Sequence, residues 1–255
     1  MLSNGDPRHA EIRTALIVPG GGSQCVLGAS ACLALHTMGL GNVFDIAAGI
    51  SGGAWTIGSF LSGIVQIRFG TAIFYRDFPL EKFIKWRKLP RLMDPNVIRK
   101  VVVSAERPCL DIDALMNSRS EFYVGVTDLE GNGKFINAKK SRPDIMSAMF
   151  ASSATPLAHL NPVKADGAEY WDGGISLPLP ISRIIEEFSP TDILVLPNST
   201  QNCSLALRLL EKIIIHLLGL PRGIKKKALG RHADFYREAN QLRCIPNVYI
   251  LWPPD

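Results

Sequence analysis

Ser51 stands in Gly49-Ile50-Ser51-Gly52-Gly53, a Gly-x-Ser-x-Gly run directly after the apolar segment Val43 to Ala48. A serine hydroxyl attacks an acyl carbon efficiently only when a base takes its proton and fixed donors hold the oxyanion that forms. A buried strand that stops at this pattern and turns at once into a helix supplies part of that geometry, the nucleophile elbow. The turn is tight enough to bring Gly49 and Gly53 nearly into contact, and glycine fits there because it has no Cβ. The serine then projects from the tip, and the helix behind it points free N–H groups at the same spot. The competing reading is a small-residue helix start in which Ser51 is only an N-cap.

Two other glycine-rich corners could serve such a serine. In Pro19-Gly20-Gly21-Gly22-Ser23-Gln24-Cys25, successive glycines can turn backbone N–H groups into one concavity that holds an anion or an oxyanion, or they can simply make a tight turn. A phosphate-binding Walker loop is excluded because no Gly-Lys-Ser/Thr follows. A dinucleotide fingerprint fails because Cys25 stands where its last glycine belongs. Asp172-Gly173-Gly174 follows a short strand; it offers either a carboxylate base or a turn without chemistry. The usual base would be one of the five histidines, His9, His36, His159, His216 and His232. The chain order of α/β-hydrolases requires His216 or His232. The first lies within an apolar run and the second among Lys227, Arg231 and Arg237, and neither reads as a loop histidine aimed at a site.

The elements that must position these corners are legible in outline. A short buried strand runs from Thr14 to Pro19, a helix from Val26 to Met38 stopped by Gly39, a second strand from Val43 to Ala48, and a helix from Gly52 to about Leu61. Strand, helix, strand and helix with short links imply a parallel α/β sheet. Residues 71–117 read as two or three helices punctuated by Pro79, Pro90 and Pro95. Glu121 to Thr127 is a strand, and Glu130-Gly131-Asn132-Gly133 turns it into a hairpin with Lys134 to Ala138. Ser141 with Asp144 resembles a cap before a helix from Ile145 to Ser153. Glu169 to Trp171 is a strand, Ile181 to Phe188 a helix, and Asp192 to Leu196 a core strand. An apolar helix spans about Ser204 to Leu218, a basic helix 222–241, and Val248 to Trp252 closes as a strand.

The 255 residues, 47% hydrophobic and 20% charged, suffice for one domain with a sizeable core. We expect a polar N-terminal segment over 1–13 and a single catalytic domain over 14–255, which includes a C-terminal apolar and basic helical region at about 203–241. A net charge of +5 suits an anionic surface as partner but carries no nucleic-acid motif, and no nucleic acid is expected. The five cysteines are odd in number and hold no Cys-x-x-Cys pair, so neither a disulfide framework nor a zinc site is indicated. Residues 1–13 have no apolar core of a secretory signal, and no run of about 18 apolar residues is present. The expectation is a cytoplasmic protein, peripheral at the inner membrane surface.

As a set, the three corners resemble the patatin-like phospholipase family. The similarity covers most of residues 14–196 and includes the Met149-Phe150-Ala151-Ser152-Ser153-Ala154-Thr155-Pro156 stretch. The resemblance implies a three-layer α/β/α sandwich with a mostly parallel central sheet. It also implies a Ser-Asp dyad without histidine: Ser51 as nucleophile in the Gly49 to Gly53 elbow, and Asp172 of the Asp172-Gly173-Gly174 motif as base. Gly20, Gly21 and Gly22, with the N–H of Gly52, would then form the oxyanion hole, and no metal or organic cofactor is needed. The implied activity is lipid acyl hydrolysis of phospholipase A or lysophospholipase type through an acyl-serine. A general carboxylesterase, thioesterase or acyltransferase with the same dyad is the alternative, as is a non-catalytic lipid-binding or regulatory protein.

The family's loop usually continues with a basic residue and then glycine, where this chain has Gln24 and Cys25. That departure removes a positive charge and adds a Cβ, and it implies a shifted or weaker oxyanion loop. Two segments suit peripheral contact with an anionic bilayer: Leu205 to Leu220, followed by Arg222, Lys225, Lys226, Lys227 and Arg231, and Lys82 to Lys88 with its interleaved aromatics. Along the first, Arg208, Glu211, Lys212 and His216 form a polar stripe. Ordinary core packing and a solvated charged face are the competing readings.

Overall fold

The structure, a computed structural model, describes residues 12–72, 109–156, 161–198, 205–241 and 245–253. Its strands are β1 (Thr14–Val18), β2 (Ile46–Ile50), β3 (Glu121–Thr127), β4 (Gly133–Asn137), β5 (Val163–Ala165), β6 (Ala168–Asp172), β7 (Asp192–Val195) and β8 (Val248–Ile250). Its helices are α1 (Val26–Thr37), α2 (Gly52–Ser62), α3 (Ile64–Ala72), α4 (Ile112–Asn117), α5 (Ile145–Ser152), α6 (Ile181–Phe188), α7 (Leu205–Leu217) and α8 (Arg222–Gln241). One sheet runs β5-β6-β3-β2-β1-β7-β8, with β4 also paired to β3. From β3 through β8 the pairing is parallel; β4 and β6 run antiparallel to β3, and β5 antiparallel to β6.

Both faces of this sheet are covered, which explains why its central strands read as unbroken apolar runs rather than alternating ones. Leu16, Val18 and Ala47 pack with Ala29 and Cys32 of α1, Ile57 and Phe60 of α2, and Met149 of α5. Ala15, Ile17, Ile46 and Ala48 face the other way, onto Ile181, Ile184 and Phe188 of α6 and Phe235 of α8. The fold is a three-layer α/β/α sandwich with a mixed, mostly parallel sheet.

The register of β3 fixes where the site lies. Glu121 to Gly125 pair with β2 on one side, while β4 pairs with Tyr123 to Thr127 and so must occupy the other. Val126 and Thr127 pair with Asp172 and Trp171 of β6. With β4 on one edge there, β6 takes the edge that β2 has just vacated. The C-terminal end of β6 is thereby set next to the end of β2, and Asp172 next to Ser51.

Several boundaries differ from expectation. The second strand runs Ile46–Ile50, carrying its pairing through Gly49 to the serine. Asp144 alone caps α5, its carboxylate accepting from Ser147 N–H at 2.8 Å, whereas Ser141 is buried and takes no part. The strand Val163–Ala165 and the helix Ile64–Ala72 carry no signal in the sequence reading above. Most of the 71–117 reading, including Lys82 to Lys88, lies outside the described residues; within the described part Ile112–Asn117 is helical. The apolar helix turns out to be Leu205–Leu217.

Candidate active site

Ser51 immediately follows β2 and stands at φ 53°, ψ −124°. A side chain at positive φ costs about 1–3 kcal/mol unless its surroundings hold it there. Here they do. The Ser51 N–H donates to Ser152 Oγ at 2.9 Å, and that hydroxyl donates onward to the Gly125 carbonyl at 2.7 Å. One turn into α2, Trp55 Nε1 donates to Ser153 Oγ at 2.8 Å. The elbow is thus tied to the C-terminal end of α5. Its tightness forbids side chains on either flank: a Cβ at Gly49 would lie 2.5 Å from Ala54 Cα, and one at Gly53 would overlap the Val18 carbonyl.

Asp172, the last residue of β6, is 6% exposed. Its Oδ2 accepts from Ser51 Oγ at 2.8 Å and its Oδ1 from the Gly174 N–H at 2.7 Å. The main chain is held as well, with the Asp172 carbonyl accepting from Thr127 Oγ1 at 2.8 Å. Gly173 sits against the Gly125 carbonyl, where no Cβ could fit. Burial pushes the carboxyl up to about 6, against the opposing pull of the Ser51 and Gly174 hydrogen bonds and the charge of Arg231. A carboxylate destabilised by desolvation is a stronger base than one in water, and it is aimed at a hydroxyl.

The glycine loop lies against the tip of the elbow. A Cβ on Gly20 would be 3.1 Å from Ser51 Cβ, and Gly22, at φ +57°, opens the 3₁₀ turn Gly22–Cys25. Gln24 is exposed, while Cys25 is wholly buried. The Cys25 side chain lies beside Gly52. The space it needs comes from Gly52, where a Cβ would overlap the Cys25 sulfur.

No histidine among the described residues bonds to Ser51 or Asp172. His36 Nε2 is 2.7 Å from the Phe60 carbonyl, His216 Nδ1 is 2.7 Å from the Lys212 carbonyl, and His232 Nε2 is 2.8 Å from Glu211 Oε2. His9 and His159 lie outside the described residues. His232 is half-buried in a cluster with Glu211 and Arg231 rather than solvated on an open basic face. Among the described residues no group of His, Cys, Asp or Glu is placed to hold a metal ion.

Residues 16–185 match the patatin-like phospholipase family, well over half of the chain. The chain belongs to this family. Members of the patatin-like family are serine hydrolases acting on lipid esters. Among solved structures, VipD from Legionella pneumophila is similar at TM-score 0.50 and 15% identity, over 79% of this chain and 52% of that one. ExoU, solved with SpcU from the type III secretion system of Pseudomonas aeruginosa, is matched at TM-score 0.40 and 12% identity over 87% and 52%. The likeness to VipD shows a shared fold. The chain spans about half the length of these structures. No curated protein matches it.

No motif singles out two residues that hold this site: Ser152 lies within a longer stretch, and Asn198 stands buried just past β7. Each acts across a long sequence separation, Ser152 on Ser51 and Asn198 on Gly28, which no local pattern reveals. Replacing Ser152 by alanine strands the Ser51 N–H, and the expected cost is about 1–3 kcal/mol in urea unfolding together with a lower kcat.

Proposed function

We propose that this chain is a serine lipid acyl hydrolase of phospholipase A or lysophospholipase type, with Ser51 as nucleophile and Asp172 as its base. The observation that carries this reading is the 2.8 Å hydrogen bond from Ser51 Oγ to Asp172 Oδ2, made at the tip of a positive-φ elbow. Asp172 accepts the hydroxyl proton as Ser51 Oγ bonds to the ester carbonyl carbon. The N–H groups of Gly20, Gly21, Gly22 and Gly52 receive the oxyanion, and the proton passes to the departing alcohol. Asp172 then takes a proton from the water that attacks the acyl-serine and returns it to Ser51 Oγ as the fatty acid leaves. One sheet reaching from Thr14 to Ile250 supports a single catalytic domain over 14–255. The test is release of fatty acid from phospholipid, lysophospholipid and short p-nitrophenyl esters. Long-chain activity supports the lipid assignment, and activity on short esters alone supports the general esterase instead.

The same reading includes peripheral contact with an anionic lipid surface. Helix α7 turns Ile215 and Glu211 inward and leaves Leu209, Ile213 and Leu217 at 53%, 57% and 80% exposure, one apolar stripe at four-residue spacing. Lys212 and His216 flank it, Lys225 reaches the His216 carbonyl at 3.3 Å, and Arg222 and Lys226 are exposed just beyond. Arg208, expected on the polar stripe, has a side chain outside the described residues. Apolar side chains beside cations suit the boundary of an anionic bilayer. Among the described residues no helix is long and apolar enough to cross a membrane. Ile213→Glu combined with Leu217→Glu is expected to lower cosedimentation with phosphatidylglycerol-containing vesicles by about tenfold or more, with hydrolysis of a soluble short ester unchanged.

A further inference from the structure

The Asn198 amide, 1% exposed, makes three hydrogen bonds. Its Oδ1 accepts from the Gly28 N–H at 2.8 Å, and its Nδ2 donates to the Pro19 carbonyl at 2.6 Å and to Cys25 Sγ at 3.3 Å. The partners fix which end of the amide is which, since Gly28 N–H can only donate and the Pro19 carbonyl can only accept. Pro19 and Cys25 are the two ends of the glycine loop, so a single side chain grips both. The third bond caps α1, whose own N-cap residue, Cys25, provides no side-chain cap.

The packing is cut to the same pair. A Cβ on Gly21 would lie 2.6 Å from Asn198 Cβ, one on Gly28 2.6 Å from Asn198 Oδ1, and one on Gly52 would overlap Cys25 Sγ. Asn198 therefore bears on Cys25, and Cys25 bears on Gly52, next to Ser51. Burial, reinforced by the nearby Asp172 charge, pushes the Cys25 thiol up, so it stays protonated and acts here as a filler and weak acceptor.

We propose that Asn198 is a positioning residue for the oxyanion loop, holding Gly20 to Cys25 in register with Ser51 from the end of β7. This rests on the hydrolase reading above. Donors misplaced by about 1 Å lose on the order of 10²-fold in rate, comparable to deleting one of them. Asn198 touches no reacting atom, so its removal should affect turnover rather than substrate affinity.

The test compares Asn198→Ala, Asn198→Asp and Cys25→Ala with wild type and Ser51→Ala. The aspartate keeps an acceptor for Gly28 N–H but, when ionised, has no donor for Pro19 or Cys25. Three quantities are read: kcat and KM on a p-nitrophenyl ester, the rate of Ser51 labelling by a fluorophosphonate, and the folded fraction by circular dichroism. Both Asn198 variants are expected to lose about 10²-fold in kcat per folded molecule with KM within about threefold, and to label Ser51 more slowly in parallel. Cys25→Ala is expected to fall between them and wild type. Wild-type kcat in folded Asn198→Asp, with only a lower melting temperature, would overturn the positioning role and leave the dyad standing. If the alanine variant does not fold, Asn198→Asp decides by the same criterion. A wild type that neither hydrolyses esters nor reacts with the fluorophosphonate overturns the hydrolase reading and this role together.

Discussion

Ser51→Ala is expected to reduce ester hydrolysis to background, and Asp172→Asn to lower kcat by about 10²–10⁴-fold, the range that a positioned base contributes. The two losses should not add in the double variant, because Ser51 Oγ and Asp172 Oδ2 act as one hydrogen-bonded unit. The asparagine variant is a close isostere that can still accept from the Gly174 N–H, so the fold should survive it. The pH profile carries a second signature. With the Asp172 carboxyl pushed up to about 6 by burial, kcat/KM in the wild type should rise as pH passes through about 6 and level off above it. The stability consequence has the opposite sign. A carboxyl with a raised folded-state pKa favours folding below its unfolded value near 3.8, and that contribution fades as pH rises through about 6. Asp172→Asn is therefore expected to melt at or above the wild-type temperature at pH 8 while being nearly inactive. Chemical denaturation of both proteins at pH 5 and pH 8 checks this.

Gly53→Ala should be, with Gly173→Ala, among the most damaging added methyls at the described glycines. The new Cβ would overlap the Val18 carbonyl and lie 2.5 Å from that of Pro19. Neither oxygen is the yielding end of a side chain; both belong to main chain where β1 runs into the glycine loop. Relief requires α2 to move off the sheet or β1 to lose register, and either displaces Ser51 from Asp172. Overpacking of a core typically costs about 1–3 kcal/mol, and this site belongs at or beyond the upper end. Urea unfolding should show that loss, and kcat should fall by 10²-fold or more even at temperatures where the variant stays folded. Gly22→Ala is a useful contrast: nothing lies within 4 Å of its Cβ position, so only the cost of φ +57° remains.

The sequence was most legible where chemistry and local structure coincide. Glu121–Thr127, Ile181–Phe188 and Arg222–Gln241 have the bounds expected of them, because turn residues and periodicity mark both ends. The second strand ends two residues later than its apolar run, since Gly49 reads as a turn signal and only pairing with Val124 reveals it as strand. Val163–Ala165 is too short to carry a pattern, and its identity depends on β6 beside it. Ser51, Asp172 and the glycines could be singled out because residue type and spacing constrain them. Ser152 and Asn198 could not, because a lone serine or asparagine acquires its role only from a distant partner. One clue did exist for Asn198: it stands just past the C-terminal end of a parallel core strand, where sites of open α/β sheets gather.

The handover along β3, from β2 to β6, joins residues 121 positions apart in the chain. A polypeptide emerging from the ribosome carries its nucleophile long before it carries its base. Loops of that length close late, after local elements have formed. On the proposed dyad, no fragment ending before β6 can deprotonate its own serine by this route.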